Sequence, residues 1–462
     1  MSAAVALARA GWQVSVREAA DTIGGGTRTA ALTLPGFLHD VCSAVHPMGI
    51  ASPFFRTLPL TDHGLEWIHP PLPMAHPFDD GTAAVLDRSL AATADSLGGA
   101  GDARAYMRLM KPFVDRWQDL FDDALAPPIR VPRNPLLMAR FALVGLRSAV
   151  GLGEATFAGE RARAFFAGIA GHALLPLDRS PSAAFGLILA SAAHGMGWPI
   201  PRGGSQRIAA ALASYLATLG GDIVTGARVT SLAELPPADA VMLNLTPRQV
   251  LAVAGGRLPA RYARALRRYR YAPGVFKVDW ALSEPIPWTA AECRRAGTIH
   301  LAASMAATVA SAEAAWYGRP DEQPYVILTQ PSLFDPTRAP AGKHTAWAYC
   351  HVPNGSATDF TAAIERQVER FAPGFRDIVL ARHTISAAEL ERYNPNMVGG
   401  DINGGVQDVP QFLFRPVPAL DPYATPVDGI FICSASTPPG GAVHGMCGYW
   451  AARSALRLTR RR

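Results

Sequence analysis

Three consecutive pieces of the N-terminal sequence, SAAVALARAG (2–11), WQVSVRE (12–18) and DTIGGGTRT (21–29), decide how this chain is read. The first is apolar and rich in alanine and leucine, interrupted only by Arg9. It predicts a short buried helix closed at Gly11, a residue free to take the left-handed backbone. The second alternates apolar and polar residues and predicts a strand that ends at Glu18. The third is a glycine turn, Gly24-Gly25-Gly26, with Arg28 and Thr29 behind it. Helix, glycine, strand and terminal acid in this order make the second half of a dinucleotide-binding βαβ unit, whose acid accepts hydrogen bonds from a ribose. The first strand, and the G-x-G-x-x-G loop that lays pyrophosphate on the helix N-terminus, are expected in an in-frame segment just before Met1.

The opposite end carries a second signal. GIFIC (429–433) reads as a buried strand and runs into SASTPPGGAVHGMCGYWAA (434–452). Gly440 and Gly441, after Pro438-Pro439 and ahead of a helix, let the backbone turn sharply and present amides to a planar ring. Together with NPNMVGGD (394–401), these stretches resemble the FAD-dependent amine oxidase/phytoene desaturase superfamily. The branch they are most similar to is that of carotenoid-isomerase-like and pyridine-nucleotide-disulphide-oxidoreductase-domain-2-like proteins. The resemblance covers the whole chain and implies FAD as cofactor. It implies that Glu18 holds the adenosine ribose and that Gly24, Gly25, Arg28 and Thr29 form the turn beside it. It further implies Val229 near the adenine, with Gly440, Gly441 and Val443 at the flavin's pyrimidine edge, where the last helix puts its positive end. No catalytic acid or base and no metal ligand is assigned. The chain departs from the pattern at Cys42, where a glycine is usual, and at Cys447, where a proline is usual. In PGFLHDVCSAVHP (35–47), His46 is expected as a hydrogen-bonded loop histidine, with a place on the substrate side of the flavin as the alternative.

Composition narrows the class. The 462 residues are 49% hydrophobic and 17% charged, which excludes a disordered chain and leaves room for about three domains. The net charge of +6 is scattered rather than gathered in a stripe, so no nucleic-acid partner is expected. Cys42, Cys293, Cys350, Cys433 and Cys447 include no C-x-x-C pair and no metal spacing, as in a reducing compartment.

Between the ends, Pro70, Pro71, Pro73 and Pro77 mark a loop before a long helical excursion. Its most apolar part is LLMARFALVGLRSAVGL (136–152), too short to span a bilayer. Arg140 and Arg147 stand a heptad apart, on nearly one side of a helix. Such a pattern suits a core helix with snorkelling arginines, or a helix lying in a membrane surface or lining a lipid-substrate entrance. A helix over 206–219, a strand pair over 222–230 turning at Gly226, and the buried strand DAVMLNL (239–245) then return to the cofactor domain. RYARALRRYR (261–270) reads as a solvated basic helix. GVFKVDWAL (274–282), YVILT (325–329) and TAWAYCHV (345–352) read as strands of a substrate wall, with Lys277 as a strand-edge lysine.

The expected fold is α/β. A Rossmann-like FAD-binding domain without its first strand (1–75, 197–255 and 395–462) is interleaved with a mixed α+β substrate domain (76–196 and 256–394). The resemblance implies an FAD-dependent oxidoreductase that acts on a small apolar substrate, with polyenes and carotenoids among the candidates, by desaturation or isomerisation. Flavin amine oxidation is an alternative, and so is a non-catalytic flavoprotein-like scaffold, which the absent phosphate loop favours. The expected setting is cytoplasmic, with a peripheral membrane contact.

Overall fold

The computed structural model describes residues 1–459. Its largest element is a seven-stranded sheet in the order Val379–Ile385, Gly274–Leu282, His344–Val352, Val326–Thr329, Ala296–Leu301, Leu72–Pro77 and Ala83–Leu86. All neighbours are antiparallel except Leu72–Pro77 and Ala296–Leu301. Because side chains alternate along a strand, residues opposite one another share a face. One face carries Val278, Ile299, Leu328 and Ala348 and packs on Ile364, Val368 and Phe371 of the helix Thr361–Phe371. Those three residues recur at helical spacing, which is why this segment forms a helix that lies on the sheet. The other face is polar at matching positions: Thr298, Thr329, Trp347, Asp279 and His383 stand opposite one another in a row across the strands.

The other half of the molecule is built differently. Ser15–Arg17 pairs in parallel with Asp222–Val224, and Val241–Leu243 pairs in parallel with Ile430–Ile432. These are separate two-stranded ladders. Ile430–Ile432 is bounded on its far side by the 423–425 segment, where Ile432 N–H donates to Tyr423 O at 2.8 Å. Val14–Arg17 and Ala240–Asn244 line the same cleft, so the second edges of Ser15–Arg17 and Val241–Leu243 open towards a common space. The helix Ser2–Ala8 packs Ala3 and Leu7 on Ala452 and Ala455 of the C-terminal helix Met446–Thr459. Its opposite side packs Val5 and Ala8 among Ile208, Leu212 and Met446.

Several expectations need correction. The strand expected over 12–18 is ladder-paired only over Ser15–Arg17, and 227–230 adds no strand to Asp222–Val224. After Val224 the chain turns, with Ala227 N–H donating to Glu18 O at 2.8 Å. The apolar stretch 136–152 is not one helix but two, Pro135–Gly145 and Ala149–Thr156, bent by 94°. Ser148 breaks it by capping the second helix, its hydroxyl accepting from Gly151 N–H at 3.0 Å. Lys277 is no edge lysine. Its strand lies inside the sheet, the side chain is buried, and its ammonium pairs with Asp279 while sitting 5.1 Å from the Trp347 ring centroid.

The two halves are locked together by charge. Asp40, from the hairpin Thr29–Ala31/Leu38–Asp40, receives Arg338 Nη2 at 2.6 Å, and both side chains are wholly buried. Ser205 N–H and the Thr29 hydroxyl also donate to Asp40, at 2.7 and 2.8 Å. Burial works to raise this carboxyl, but the Arg338 guanidinium and these donors hold it below the usual carboxylate value.

Candidate functional site

One cleft of about 2060 Å³ runs through the molecule, between the two short ladders at one end and above the polar face of the large sheet at the other. Of the residues singled out in the sequence, Glu18, Gly24, Gly25, Arg28, Val229, Gly440, Gly441 and Val443 all line it. Thr29 does not. Its hydroxyl is spent on Asp40 and on the N–H of Gln206 at 3.1 Å, which orients the start of the helix Gln206–Thr218.

At the first end, Glu18 closes its strand with a carboxylate that accepts from Ala20 N–H at 2.9 Å and lies 3.4 Å from Arg28 Nη2. Arg28 is fixed in turn by the Thr22 carbonyl at 2.6 Å and by the Tyr393 hydroxyl at 3.3 Å. Gly24 and Gly25 take positive φ values of 116° and 55°, which is why this turn uses glycine. The second end is the turn 440–445. A Cβ on Gly441 would meet the Asn403 backbone at 2.9 Å, so no side chain fits there. Ala442 holds φ at +102°, a conformation rare for a residue with a side chain. His444 is buried, and burial lowers its pKa to about 4. Since Nδ1 accepts from Met446 N–H at 3.0 Å, the neutral ring carries its proton on Nε2, which has no partner among the described residues. Gln407 Oε1, also on the cleft wall, is likewise unpartnered.

NPNMVGGD (394–401) lines the cleft and also braces its wall. Asn396 accepts from Thr246 N–H at 2.9 Å and donates to Asn244 O at 3.0 Å, which ties the end of Val241–Leu243 in place. Asp401 accepts from Ala272 N–H at 2.9 Å and Asn403 N–H at 2.7 Å. His46 is the hydrogen-bonded loop histidine, 2.8 Å from the Ser205 hydroxyl, and it also lines the cleft.

The chamber over the sheet holds residues that sequence reading did not find. Thr298, Thr329 and Trp347 line it, and Thr298 Oγ1, Thr329 Oγ1 and Trp347 Nε1 are buried without partners among the described residues. The rings of Trp347 and Tyr349 stack at 5.6 Å, interplanar angle 27°. Beside them His172 Nε2 lies 3.0 Å from His300 Nε2, and both rings contact Trp198 at centroid distances near 6 Å (6.0 and 6.2 Å). Burial holds both imidazoles neutral: His172 falls to about 4, and His300 is pushed well below its usual value. The remaining wall is apolar, with Met138, Phe141, Phe185, Ile188 and Leu189. Of the carboxylates on the cleft wall, Glu18 lies near Arg28, and Asp123 is engaged by Arg130 and by the Arg133 and Asn134 N–H groups ahead of the helix Pro135–Gly145. The sequence hides this chamber because its members sit on separate strands and meet only through register.

Comparison with known proteins places this geometry. The model of a family described as flavin containing amine oxidoreductase matches residues 1–446. The pyridine nucleotide-disulfide oxidoreductase domain-containing protein 2 of Mus musculus is 26% identical over 98% of this chain and 91% of its own length. Its Rattus norvegicus counterpart is 34% identical over a shorter match, 30% of this chain and 26% of that protein. Among solved structures, an oxidoreductase from Methanosarcina mazei shares the fold, with a TM-score of 0.68, 17% identity and coverage of 99% of this chain and 97% of the other. Cyclohexylamine oxidase from Brevibacterium oxydans shares it with a TM-score of 0.59 and 16% identity over 100% and 97% of the two chains.

Proposed function

The chain belongs to the flavin containing amine oxidoreductase family and is an FAD-dependent oxidoreductase, and within that class we propose that it oxidises an uncharged, largely apolar substrate held over the seven-stranded sheet. The residues present fit the cofactor at both ends of the cleft. Glu18, Gly24, Gly25, Arg28 and Val229 would hold the adenosine end. The 440–445 turn, with the unpartnered His444 Nε2–H and the wall amides, would hold the flavin end. FAD, when bound, accepts the hydride equivalents, while the protein orients the substrate and keeps water out. The positive end of the helix Met446–Thr459 favours negative charge beside that turn.

The observation that carries the substrate reading is the neutral chamber wall. Burial holds its His172 neutral, Thr298, Thr329 and Trp347 offer only hydroxyls and an indole, Phe185, Ile188 and Leu189 are hydrocarbon, and Asp279 of the same sheet face is already paired with Lys277. A cationic amine that left water for this chamber would find the carboxylate of that sheet face, Asp279, already neutralised by Lys277, with little left to offset its desolvation. Thr298 and Thr329 would orient one polar end of a substrate, and Phe185, Ile188 and Leu189 would pack its apolar body. One observation favours the amine alternative: the stacked Trp347 and Tyr349 rings form an aromatic wall that attracts a cation.

Anaerobic mixing of the flavin-loaded enzyme with polyenes, and separately with aliphatic amines, decides between them. Bleaching of the oxidised flavin band by a polyene, weakened in Thr298→Val/Thr329→Val, is expected. Bleaching by amines alone would replace this reading with amine oxidation. No bleaching by either class, in a protein that retains flavin, would return the scaffold reading.

A further inference from the structure

We infer that the helix Pro135–Gly145 and the loop before it dock this protein on an anionic lipid surface. A helix on a protein surface ordinarily turns a polar side to water. This one carries apolar side chains on both sides, with Arg140 its one charged residue. Leu137, Phe141 and Val144 face inward onto Phe113, Leu120 and Ile188. The opposite side leaves Leu136 85% and Leu143 78% exposed, with Leu146 bare just beyond the helix end. Val131, 86% exposed, and Ile129 extend the patch into the preceding loop. Single exposed leucines are ordinary; a contiguous patch of this kind marks an interaction surface.

Charge says which surface. From Ile129 to Gly153 the sequence holds no acidic residue, but it does hold Arg130, Arg133, Arg140 and Arg147. Arg130 is engaged by Asp123 at 2.6 Å, Arg133 lies 3.9 Å from Asp122, and Arg147 donates to Gly151 O at 2.6 Å. Arg140, on the exposed side with Leu136 and Leu143, makes no ion pair among the described residues. Apolar side chains interleaved with cations match the boundary between acyl chains and anionic headgroups. A second copy of the chain fits less well, since a two-fold contact over this face would bring arginines against arginines. No single helix among the described residues is long and apolar enough to cross a membrane, and the 94° bend after Gly145 turns the next helix away. The contact is therefore one of lying on the surface rather than spanning it.

The position of the patch also bears on the substrate. Met138, Phe141, Ala142 and Gly145 line the cleft from beneath the same helix, together with Pro128 and Pro132 from the loop. An apolar molecule leaving the bilayer at Leu136 and Leu143 would pass under this helix into the chamber. That clause rests on the proposed substrate class, whereas the docking itself does not.

The test is co-sedimentation of the full chain with phosphatidylcholine vesicles, with and without phosphatidylserine, alongside its oligomeric state in solution. Binding that depends on phosphatidylserine is expected. Arg140→Glu with Arg147→Glu should weaken it about tenfold or more. Leu136→Asp with Leu143→Asp should abolish it with the melting temperature unchanged, because both leucines are exposed. A wild-type chain that ignores phosphatidylserine vesicles would overturn the inference, as would a leucine variant that binds them normally. A dimer converted to monomer by the leucine variant, without vesicle binding by the wild type, would overturn it in favour of self-association. Loss of vesicle binding with unchanged polyene oxidation in detergent would keep the docking surface while leaving the substrate reading intact.

Discussion

The two sheet systems of this molecule close their backbones in opposite ways. The seven-stranded sheet satisfies its interior strands from both sides and presses one whole face onto a helix. The cofactor half has two short parallel ladders whose second edges open on one cleft. Parallel strands are rarely left uncovered, since each edge carries unpaired N–H and C=O groups. The difference teaches where each half gets its order. The large sheet is ordered by its own register and hydrocarbon core, whereas the two ladders are held in place by the helices packed on them and each turns residues to the cleft.

The strongest way to break this comparison is to supply a pairing partner. An apolar strand peptide that ends in a G-x-G-x-x-G loop is expected to insert between Ser15–Arg17 and Val241–Leu243. Amide exchange in both segments should slow by an order of magnitude or more, because each buried backbone group left unpaired costs about 1–3 kcal/mol. Flavin retention through dialysis should rise in step, while exchange in Gly274–Leu282 stays as it was. Unchanged exchange in the two short ladders would mean that their edges are already closed.

The junction between the halves is sharpened next. Arg338→Met leaves Asp40 as an uncompensated buried charge and is expected to cost about 3–5 kcal/mol in urea unfolding. The pair also sets a pH dependence. Asp40 has a depressed pKa in the folded chain, so its contribution is present above the unfolded carboxylate value, about 4. It is lost as pH falls from there through the folded value. In the variant, acid unfolding should lose this component. A variant as stable as the parent would show that the halves are held by packing alone.

Glu18→Ala probes the ladder end without touching the large sheet. Removing a carboxylate that faces the cleft beside Arg28 should weaken FAD retention by about 1–3 kcal/mol. Equal flavin content after exhaustive dialysis would remove Glu18 from the cofactor site.

Local signals made the first half of this picture legible and register hid the second. The helix at Ser2–Ala8, the acid at Glu18 and the turns at Gly24 and Gly440 all announce themselves within a few residues, and the structure brings them to one cleft. The position of Thr29 in the turn says nothing of where its hydroxyl goes, which is to Asp40. Lys277 was misread because an isolated lysine in a strand suggests an edge. Asp279, two positions on and so on the same face, neutralises it inside the sheet. Thr298, Thr329 and Trp347 carry no motif at all, since only strand pairing lines them up.

The smallest effect is expected at Ala442, and it separates strain from function at the flavin end of the cleft. This residue holds φ at +102° on a wall where its neighbours Gly440 and Gly445 also take positive φ. Holding a side chain in such a region costs about 1–3 kcal/mol. Ala442→Gly removes that cost but frees the unfolded chain, which offsets about 0.4–1 kcal/mol. The balance favours the variant by about 1 kcal/mol, read as a higher urea midpoint with an unchanged slope. Strain kept at a site is kept for what it positions, here the 440–445 turn with the unpartnered His444 Nε2–H. The same variant should therefore bind flavin more weakly while folding more tightly. If both stability and flavin affinity rose together, the left-handed alanine would be incidental to the site, and the turn would owe its shape to Asn403 and Arg415 packed against it.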